Sequence, residues 1–249
     1  MIFFEISENK AIRKIMIHQH IFAAPKPGMT ESDFQDYWIN LHAPRYAMKI
    51  PQIAKYRLNL RLSCSVDPAP IWSGCAEIWL RNDAEQIASM QTPEFLQGAR
   101  LDEPNWAAFW MTAVLDCETE TLLDGTVPDG AVKLIVMSKR DLAHDVTDYR
   151  ILRRADLKEH AESVPGLLRV DMASARDGLY AVGEARFDEV AHFWFASVEA
   201  AERAFAAPER DVMLPSTAAR GLNPAQVFPM LVQPHWLIGP EERPLAGAA

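Results

Sequence analysis

Two histidines lie two positions apart in the segment RKIMIHQHIFA, residues 13–23. The apolar alternation of this segment predicts a β-strand, in which His18 and His20 project to the same face. That face also carries Met16 and Phe22, whereas the other face is aliphatic and suits packing beneath helices. We therefore expect both imidazoles to line the interior of a β-structure.

A carboxylate on a later strand is the natural partner of these histidines. Glu77 shares a face with Trp79 in a strand predicted over residues 74–81, which neighbours the histidine strand in the topology described below. Two histidines and a carboxylate could bind a metal as a facial triad. They could equally form an acid–base set in which the carboxylate orients an imidazole, or simply pack together. The sequence leaves these three interpretations open.

A third candidate, His42, lies in the last turn of a helix that begins after the predicted N-cap Thr30. The helix dipole favours the protonated imidazole there by ~0.3–1 kcal/mol, and a histidine that titrates near neutrality can transfer protons. The alternative is a structural cap that bonds free backbone carbonyls. Pro44 predicts that this helix ends near Ala43.

The composition excludes several classes of protein. The 249 residues are 49% hydrophobic and 24% charged, which is typical of a globular chain. A net charge of −9 argues against nucleic acid or an anionic membrane surface as the main partner. Because no apolar run approaches the ~20 residues that span a bilayer, and three cysteines form no CxxC pair, we expect a cytoplasmic protein.

The predicted elements occur twice along the chain. Residues 13–117 give the order β-α-β-β-α-β, which is the ferredoxin-like unit. Residues 118–131 are polar and turn-rich and are expected to form a linker. The pattern then restarts over residues 132–238, and residues 239–249 are expected to form a flexible tail.

Two pairs of similar segments align the halves, with nearly the same spacing along the chain for both pairs. Pro51-Gln52-Ile53 lies over Pro165-Gly166-Leu167, and residues 76–80 lie over residues 191–195. One ferredoxin-like sheet leaves an apolar face uncovered, which a second sheet can bury. We therefore expect an α+β fold of two ferredoxin-like βαββαβ repeats, packed face to face as a fused dimeric α/β barrel with the ligand cavity between the sheets.

The repeat also extends the set of cavity residues. It makes His192 and Trp194 the counterparts of Glu77 and Trp79. Two tryptophans that face one cavity would suit a flat aromatic ligand by stacking. The acidic pair at residues 102–103 is expected to be solvated surface.

The segment KPGMTESDFQDYWINLHAPRYAMKIPQIAKYRL, residues 26–58, resembles the signature of EthD-type proteins of the dimeric α/β barrel superfamily. The matching features are Lys26-Pro27-Gly28-Met29-Thr30, Phe34, Tyr37-Trp38, His42-Ala43-Pro44, Pro51 and Tyr56. The second half places Asp156 opposite His42, so the His-Ala-Pro motif is absent there and one active site is expected.

The resemblance implies small-molecule chemistry. Such relatives include muconolactone isomerases, polyketide cyclases, dehydratases and decarboxylases, most of which use no cofactor, while more distant barrel relatives bind haem. The resemblance to the muconolactone isomerases puts His42 at a position proposed there for proton transfer. Trp38, on the same helix, is expected to contact the substrate.

The sequence thus predicts a cofactor-independent lyase or isomerase that acts on a small cyclic or aromatic oxygenated molecule. The expected catalytic residues are His42, His20, His18 and Glu77, and the expected substrate-binding residues are Trp38, Trp79, His192 and Trp194. No metal or cofactor is expected, and the fused barrel is expected to be monomeric, with further homodimerisation left open. The alternatives are a haem- or metal-dependent oxidoreductase in the same barrel and a non-catalytic small-molecule binder.

Overall fold

A computed structural model describes residues 16–244 of the chain. Apolar alternation produces strands that close into a barrel, because each strand presents one face to the interior and one to surrounding helices. The strands are β1 Ile17–Ala23, β2 Lys55–Arg61, β3 Gly74–Leu80, β4 Ala113–Asp124, β5 Val132–Arg140, β6 Leu167–Ala175, β7 Glu189–Phe195 and β8 Leu222–Ile238.

Helices cover the outer faces of the barrel. They are α1 Glu31–Tyr37, α2 Ala43–Arg45, α3 Asp83–Ser89, α4 Arg100–Asp102, α5 Val146–His160 and α6 Val198–Ala206, with π-helical turns at Trp38–His42 and Glu94–Ala99. Side-chain N-caps at Thr30, Asn82, Asp145 and Ser197 begin four of them. In the described part of the chain, no helix has the length and apolarity needed to cross a membrane.

The strands run in the order β1-β3-β2-β8-β5-β7-β6-β4 around the closed barrel, and every neighbouring pair is antiparallel. The predicted α+β barrel is thereby confirmed. The pairing also shows how the two halves meet, because β2 bonds to β8 and β4 bonds to β6. Closure at both seams joins the two halves into one continuous sheet.

Strand β8 contains two prolines, Pro229 and Pro234, although proline is usually confined to the edge of a sheet. Its first part pairs with β5 as far as Val232, and its last part pairs with β2 from Val232 onward. Pro229 therefore lies in the part of β8 that pairs with β5 but not with β2. Pro234 lies in the part that pairs with β2 but not with β5. Each proline occupies a locally free edge, which accommodates its missing N–H group.

The two faces of the barrel wall differ in character. The outer face of the first half packs under α1 and the π-helical turns, and that of the second half packs under α5 and α6. One end of the interior is apolar and is filled by Phe22, Cys75, Leu115, Ile135, Met137, Val190, Met230 and Val232. The other end of the interior is polar and contains the histidine cluster described below.

Two boundaries differ from the sequence prediction. Strand β4 continues through Asp124, so only residues 125–131 join the halves, because residues 117–124 pair with β6. The tail is ordered as far as residue 244, since the Arg243 guanidinium donates to the carbonyls of Met48 and Ile50. Residues 13–15 of the first predicted strand and residues 245–249 of the predicted tail lie outside the described residues.

The helix that bears His42 also continues past its predicted end. The N–H of Ala43 bonds to the carbonyl of Trp38, five residues back, and helical backbone runs on through Arg45. This widened turn accommodates Pro44, which cannot donate a backbone hydrogen bond.

Candidate functional site

The predicted site residues occupy two cavities on opposite sides of the barrel wall. His18 and His20 lie on the interior face of β1, whereas Gln19 and Ile21, on the other face, line a cavity beneath the helices together with His42. The sequence expectation that His42 works with His18, His20 and Glu77 in one cavity is therefore wrong. A strand alternates its side chains, so the wall itself separates the two groups.

The outer cavity lies between the first-half sheet and its helices and has a volume of about 420 Å³. Trp38 and His42 both line it, as the sequence predicts for a shared site. Trp38 packs at 4.8 Å, centroid to centroid, from Trp106 and at 5.3 Å from Phe34. Its ring lies against Gly74, where any side chain would collide with it. The aromatic cluster therefore fixes the helix that presents His42.

A carboxylate holds the imidazole of His42 in place. The Nδ1 atom lies 2.9 Å from Oδ2 of Asp102, whose Oδ1 accepts from Tyr37 at 2.8 Å and from Asn105 at 3.0 Å. Asp102 is only 5% exposed, so its assignment to solvated surface is wrong. Trp106 also places its indole N–H 3.1 Å from Nδ1. Because Nδ1 has either one proton or one lone pair, donation of its proton to Asp102 excludes acceptance from Trp106 and leaves the lone pair of Nε2 available to a ligand.

The protonation states suit a general base. Burial lowers the pKa of His42 below 6.5, although Asp102 opposes that shift. Burial alone would raise the pKa of Asp102, but hydrogen bonds from Asn105, His42 and Tyr37 outweigh it and lower that pKa. The pair is therefore a neutral imidazole beside a carboxylate at neutral pH.

The entrance to the outer cavity is apolar. Met90, Phe109 and Val114 line the cavity and are each about half exposed, at 49%, 45% and 52%. Exposed apolar side chains at a cavity rim are typical of sites that admit apolar ligands.

Inside the barrel, Glu77 is fully buried at the centre of a polar cluster. Its Oε1 accepts from Arg57 Nε at 3.2 Å, from Asn59 at 2.8 Å and from Lys133. Its Oε2 accepts from Arg57 Nη2 at 2.6 Å and from His18 Nε2 at 2.9 Å. Both carboxylate oxygens are thus occupied, so Glu77 is a structural hub whose partners come from both halves of the chain.

The cluster holds two cations against this one carboxylate. Burial alone would raise the pKa of Glu77, but Arg57 and Lys133 outweigh it and hold that pKa well below 4.5. Burial and the charge on Arg57 lower the pKa of Lys133 to about 8. Lys133 is therefore largely protonated at pH 7, and the three residues carry one net positive charge.

Three buried histidines complete the cluster. His18 donates through Nε2 to Glu77, which leaves Nδ1 to accept from the Thr119 hydroxyl at 2.8 Å. His20 and His192 share a hydrogen bond of 3.0 Å between their Nε2 atoms, and Nδ1 of His20 has no partner among residues 16–244. Burial is the main cause that lowers the pKa of each imidazole. All three are therefore neutral at pH 7.

A metal on His18, His20 and Glu77 does not fit this arrangement, although their ligand atoms lie within 4.8 Å of one another. Both nitrogens of His18 and both oxygens of Glu77 already bond to protein groups. A dication would also lie beside the charges of Arg57 and Lys133, which repel it. The donor set therefore matches an internal hydrogen-bond network.

The polar end of the barrel opens into a cavity of about 560 Å³. Trp79, Trp194 and His192 line it, as predicted from the internal repeat, and Trp236 joins them. The guanidinium of Arg57 lies 5.4 Å from the ring centroid of Trp79, 5.0 Å from that of Trp194 and 4.8 Å from that of Trp236. We call this cavity the barrel mouth.

One family model matches part of the first half of the chain. Residues 26–109 match the EthD domain family. This range contains Trp38, His42 and Asp102 and extends the resemblance drawn from residues 26–58. The first half of the chain is thus similar to the EthD domain. A sequence search of curated proteins gave no match.

Solved structures share the fold over most of the chain at low identity. An anthrone oxidase-like protein aligns with a TM-score of 0.66 and 12% identity, over 94% of this chain and 97% of that one. A proposed monooxygenase from Fusobacterium nucleatum gives 0.56 and 8%, over 93% and 98%. A chlorite dismutase variant from Candidatus Nitrospira defluvii gives 0.50 and 8%, over 92% of each chain. These likenesses establish the α/β barrel architecture.

Proposed function

We propose that the chain is an enzyme that moves a proton on a small cyclic or aromatic oxygenated molecule bound in the outer cavity. The observation that carries the proposal is the His42–Asp102 pair, which presents one imidazole nitrogen to an apolar cavity. His42 would take a proton from a carbon next to a carbonyl and return it elsewhere, as elimination or isomerisation requires. Asp102 would stabilise the imidazolium formed in between.

The proposed chemistry needs no cofactor. A haem in the outer cavity would require cationic partners for its propionates. Arg100 is the one cation among the residues that line this cavity, and it already pairs with Glu103 at 2.6 Å. The lining of this cavity therefore does not fit haem.

We also infer that the two halves are copies of one ferredoxin-like unit. The strand orders β4-β1-β3-β2 and β8-β5-β7-β6 are the same when the second half is renumbered from one. This supports a fused form of a dimeric barrel in which the EthD-like half carries the reaction, because Asp156 stands opposite His42 in the other half.

Solvent deuterium exchange tests the proposed reaction. The probe is 2-tetralone, an enolisable aromatic ketone, incubated with the protein in D₂O and followed by NMR at its α-carbons. We expect exchange above the buffer rate and a loss of ~10²–10⁴-fold in His42→Ala, with a smaller loss in Asp102→Asn. His160→Ala, on the far side of the second half, is the matched control.

Three outcomes would contradict the proposal. Exchange that persists in His42→Ala would remove His42 from the reaction. Thermal stabilisation by ketones without any exchange would indicate a binder. A Soret band or a stoichiometric transition metal in the purified protein would indicate cofactor chemistry.

A further inference from the structure

The barrel mouth has features of a binding site that the proposed reaction does not use. The wall of the barrel separates it from His42, and it is lined by residues of both halves and by the joining segment, Val127 to Ala131. Its volume of about 560 Å³ is in the range of small-molecule sites.

Arg57 supplies an unused hydrogen-bonding edge at this cavity. Its side chain is 10% exposed, and its Nε and Nη2 atoms bond to Glu77 at 3.2 Å and 2.6 Å. Its Nη1 has no hydrogen-bond partner within residues 16–244, although the residue lines the mouth. A guanidinium held rigidly by one carboxylate is preorganised to bind a second through its remaining donors.

The charge balance of the mouth also favours an anion. Arg57 and Lys133 face one carboxylate, Glu77, and the adjacent histidines are neutral. Lys55 lines the mouth and forms no ion pair within the described residues.

The acidic groups of the mouth do not cancel this excess. Asp171 bonds to Arg169 at 2.9 Å, to Thr121 at 2.7 Å and to the indole of Trp194 at 3.2 Å. Asp129 is exposed on the rim, where water and salt screen its charge.

The walls around Arg57 are aromatic. Trp79 and Trp236 lie 5.5 Å apart, centroid to centroid, and the ring centroid of Trp194 lies 5.0 Å from the guanidinium. Tryptophan faces that surround a cation provide stacking surface for a flat ring whose acidic group reaches that cation. The one net positive charge of the buried Arg57–Lys133–Glu77 cluster matches one carboxylate.

We propose that the barrel mouth is a second ligand site, which binds an aromatic monocarboxylate with its carboxylate on Arg57 and its ring against Trp194 and Trp236. The site is independent of the proposed reaction and requires both halves of the chain. It would hold either an effector or a second small molecule of the aromatic class.

Calorimetric titration of the full chain with 2-naphthoate tests this site. We expect one equivalent to bind, and the neutral 2-naphthamide to bind roughly tenfold or more weakly, because it forms no charge-assisted hydrogen bond. Arg57→Lys should weaken naphthoate by roughly tenfold or more, since lysine lacks the planar fork. Trp236→Leu should weaken it by about 3- to 10-fold. Trp110→Leu, an exposed tryptophan outside the mouth, is the matched control.

The His42→Ala variant distinguishes this proposal from the preceding one, because it should leave naphthoate binding unchanged whether or not the exchange reaction occurs. Trp236 is 39% exposed, so its variant tests the site even where Arg57→Lys fails to fold. Equal binding of the amide, unchanged binding in Trp236→Leu, loss of binding in His42→Ala, or no naphthoate binding by the folded wild-type chain would each overturn the proposal.

Discussion

At the scale of residues, strand alternation suffices to group His18, His20, Glu77 and Trp79 on one face. It does not reveal Lys133, which reaches Glu77 from 56 positions further along the chain. Nor does it reveal Asp102, which lies 60 positions after His42 and looks like surface in an acidic run. Local periodicity reports which face a side chain occupies. Partners brought together by barrel closure leave no such signal, because their separation is set by topology.

Replacement of Glu77 by glutamine tests its role as a structural hub. The change leaves Arg57 and Lys133 buried without their counter-charge, so we expect a loss of ~3–5 kcal/mol in the free energy of unfolding. Urea denaturation measures it. Glu159→Gln, on the exposed face of α5, is the control and should change stability by less than ~0.5 kcal/mol. A Glu77→Gln protein as stable as the control would show that the cluster tolerates unpaired charge.

At the scale of elements, the sequence locates the helices and strands well where amphipathic patterns are strong. It ends the first half too early, at residue 117, because the residues that follow are polar. The strand that forms, Ala113–Asp124, has a polar second half. Pairing with β6 stabilises this polar extension, so tertiary contact overrides local composition. The π-helical turn before Pro44 is likewise a response to packing of Trp38 and His42 on the sheet.

A substitution at Gly74 tests how closely the π-helical turn at Trp38–His42 must approach β3. A Cβ at this position would lie 2.9 Å from the Asn59 carbonyl oxygen and 3.0 Å from the Trp38 ring. Because the backbone oxygen cannot move freely, Gly74→Ala should destabilise the protein by ~1–3 kcal/mol and alter the near-ultraviolet circular dichroism of tryptophan. Gly178→Ala, where a Cβ meets open space, is the control. Identical unfolding curves for the two variants would refute the close packing.

At the scale of the whole molecule, the two halves form one barrel rather than two domains. The seams β2–β8 and β4–β6 and the pair between Glu77 and Lys133 join them. The sequence predicts two halves that enclose one cavity between them. It could not show that the EthD-type histidine faces outward, since the side of the wall depends on where the helix packs.

Unfolding should therefore be one cooperative transition with a defined pH dependence. Burial lowers the folded-state pKa of His18, His20 and His192 below 6.5, so the unfolded chain binds more protons than the folded one as the pH falls below about 6.5. The free energy of unfolding therefore has its full value above pH 6.5. It decreases below that pH by up to ~1.4 kcal/mol per pH unit for each histidine.

Urea titrations at pH 7.5 and 5.5, followed by tryptophan fluorescence and by far-ultraviolet circular dichroism, measure this dependence. Both signals should move together to lower midpoints at the lower pH. Two separate transitions, or an unchanged midpoint at pH 5.5, would contradict a barrel whose interior is shared by both halves.

The divided pairing of β8 has a consequence for the order of assembly during translation. β8 follows the other seven strands along the chain, yet it alone bridges β2 and β5. A nascent chain that lacks it is an open trough, in which water can still reach Glu77 and Lys133. The ribosome must therefore release β8 before these charges are sealed, and the desolvation of the interior becomes the last event in the maturation of the chain.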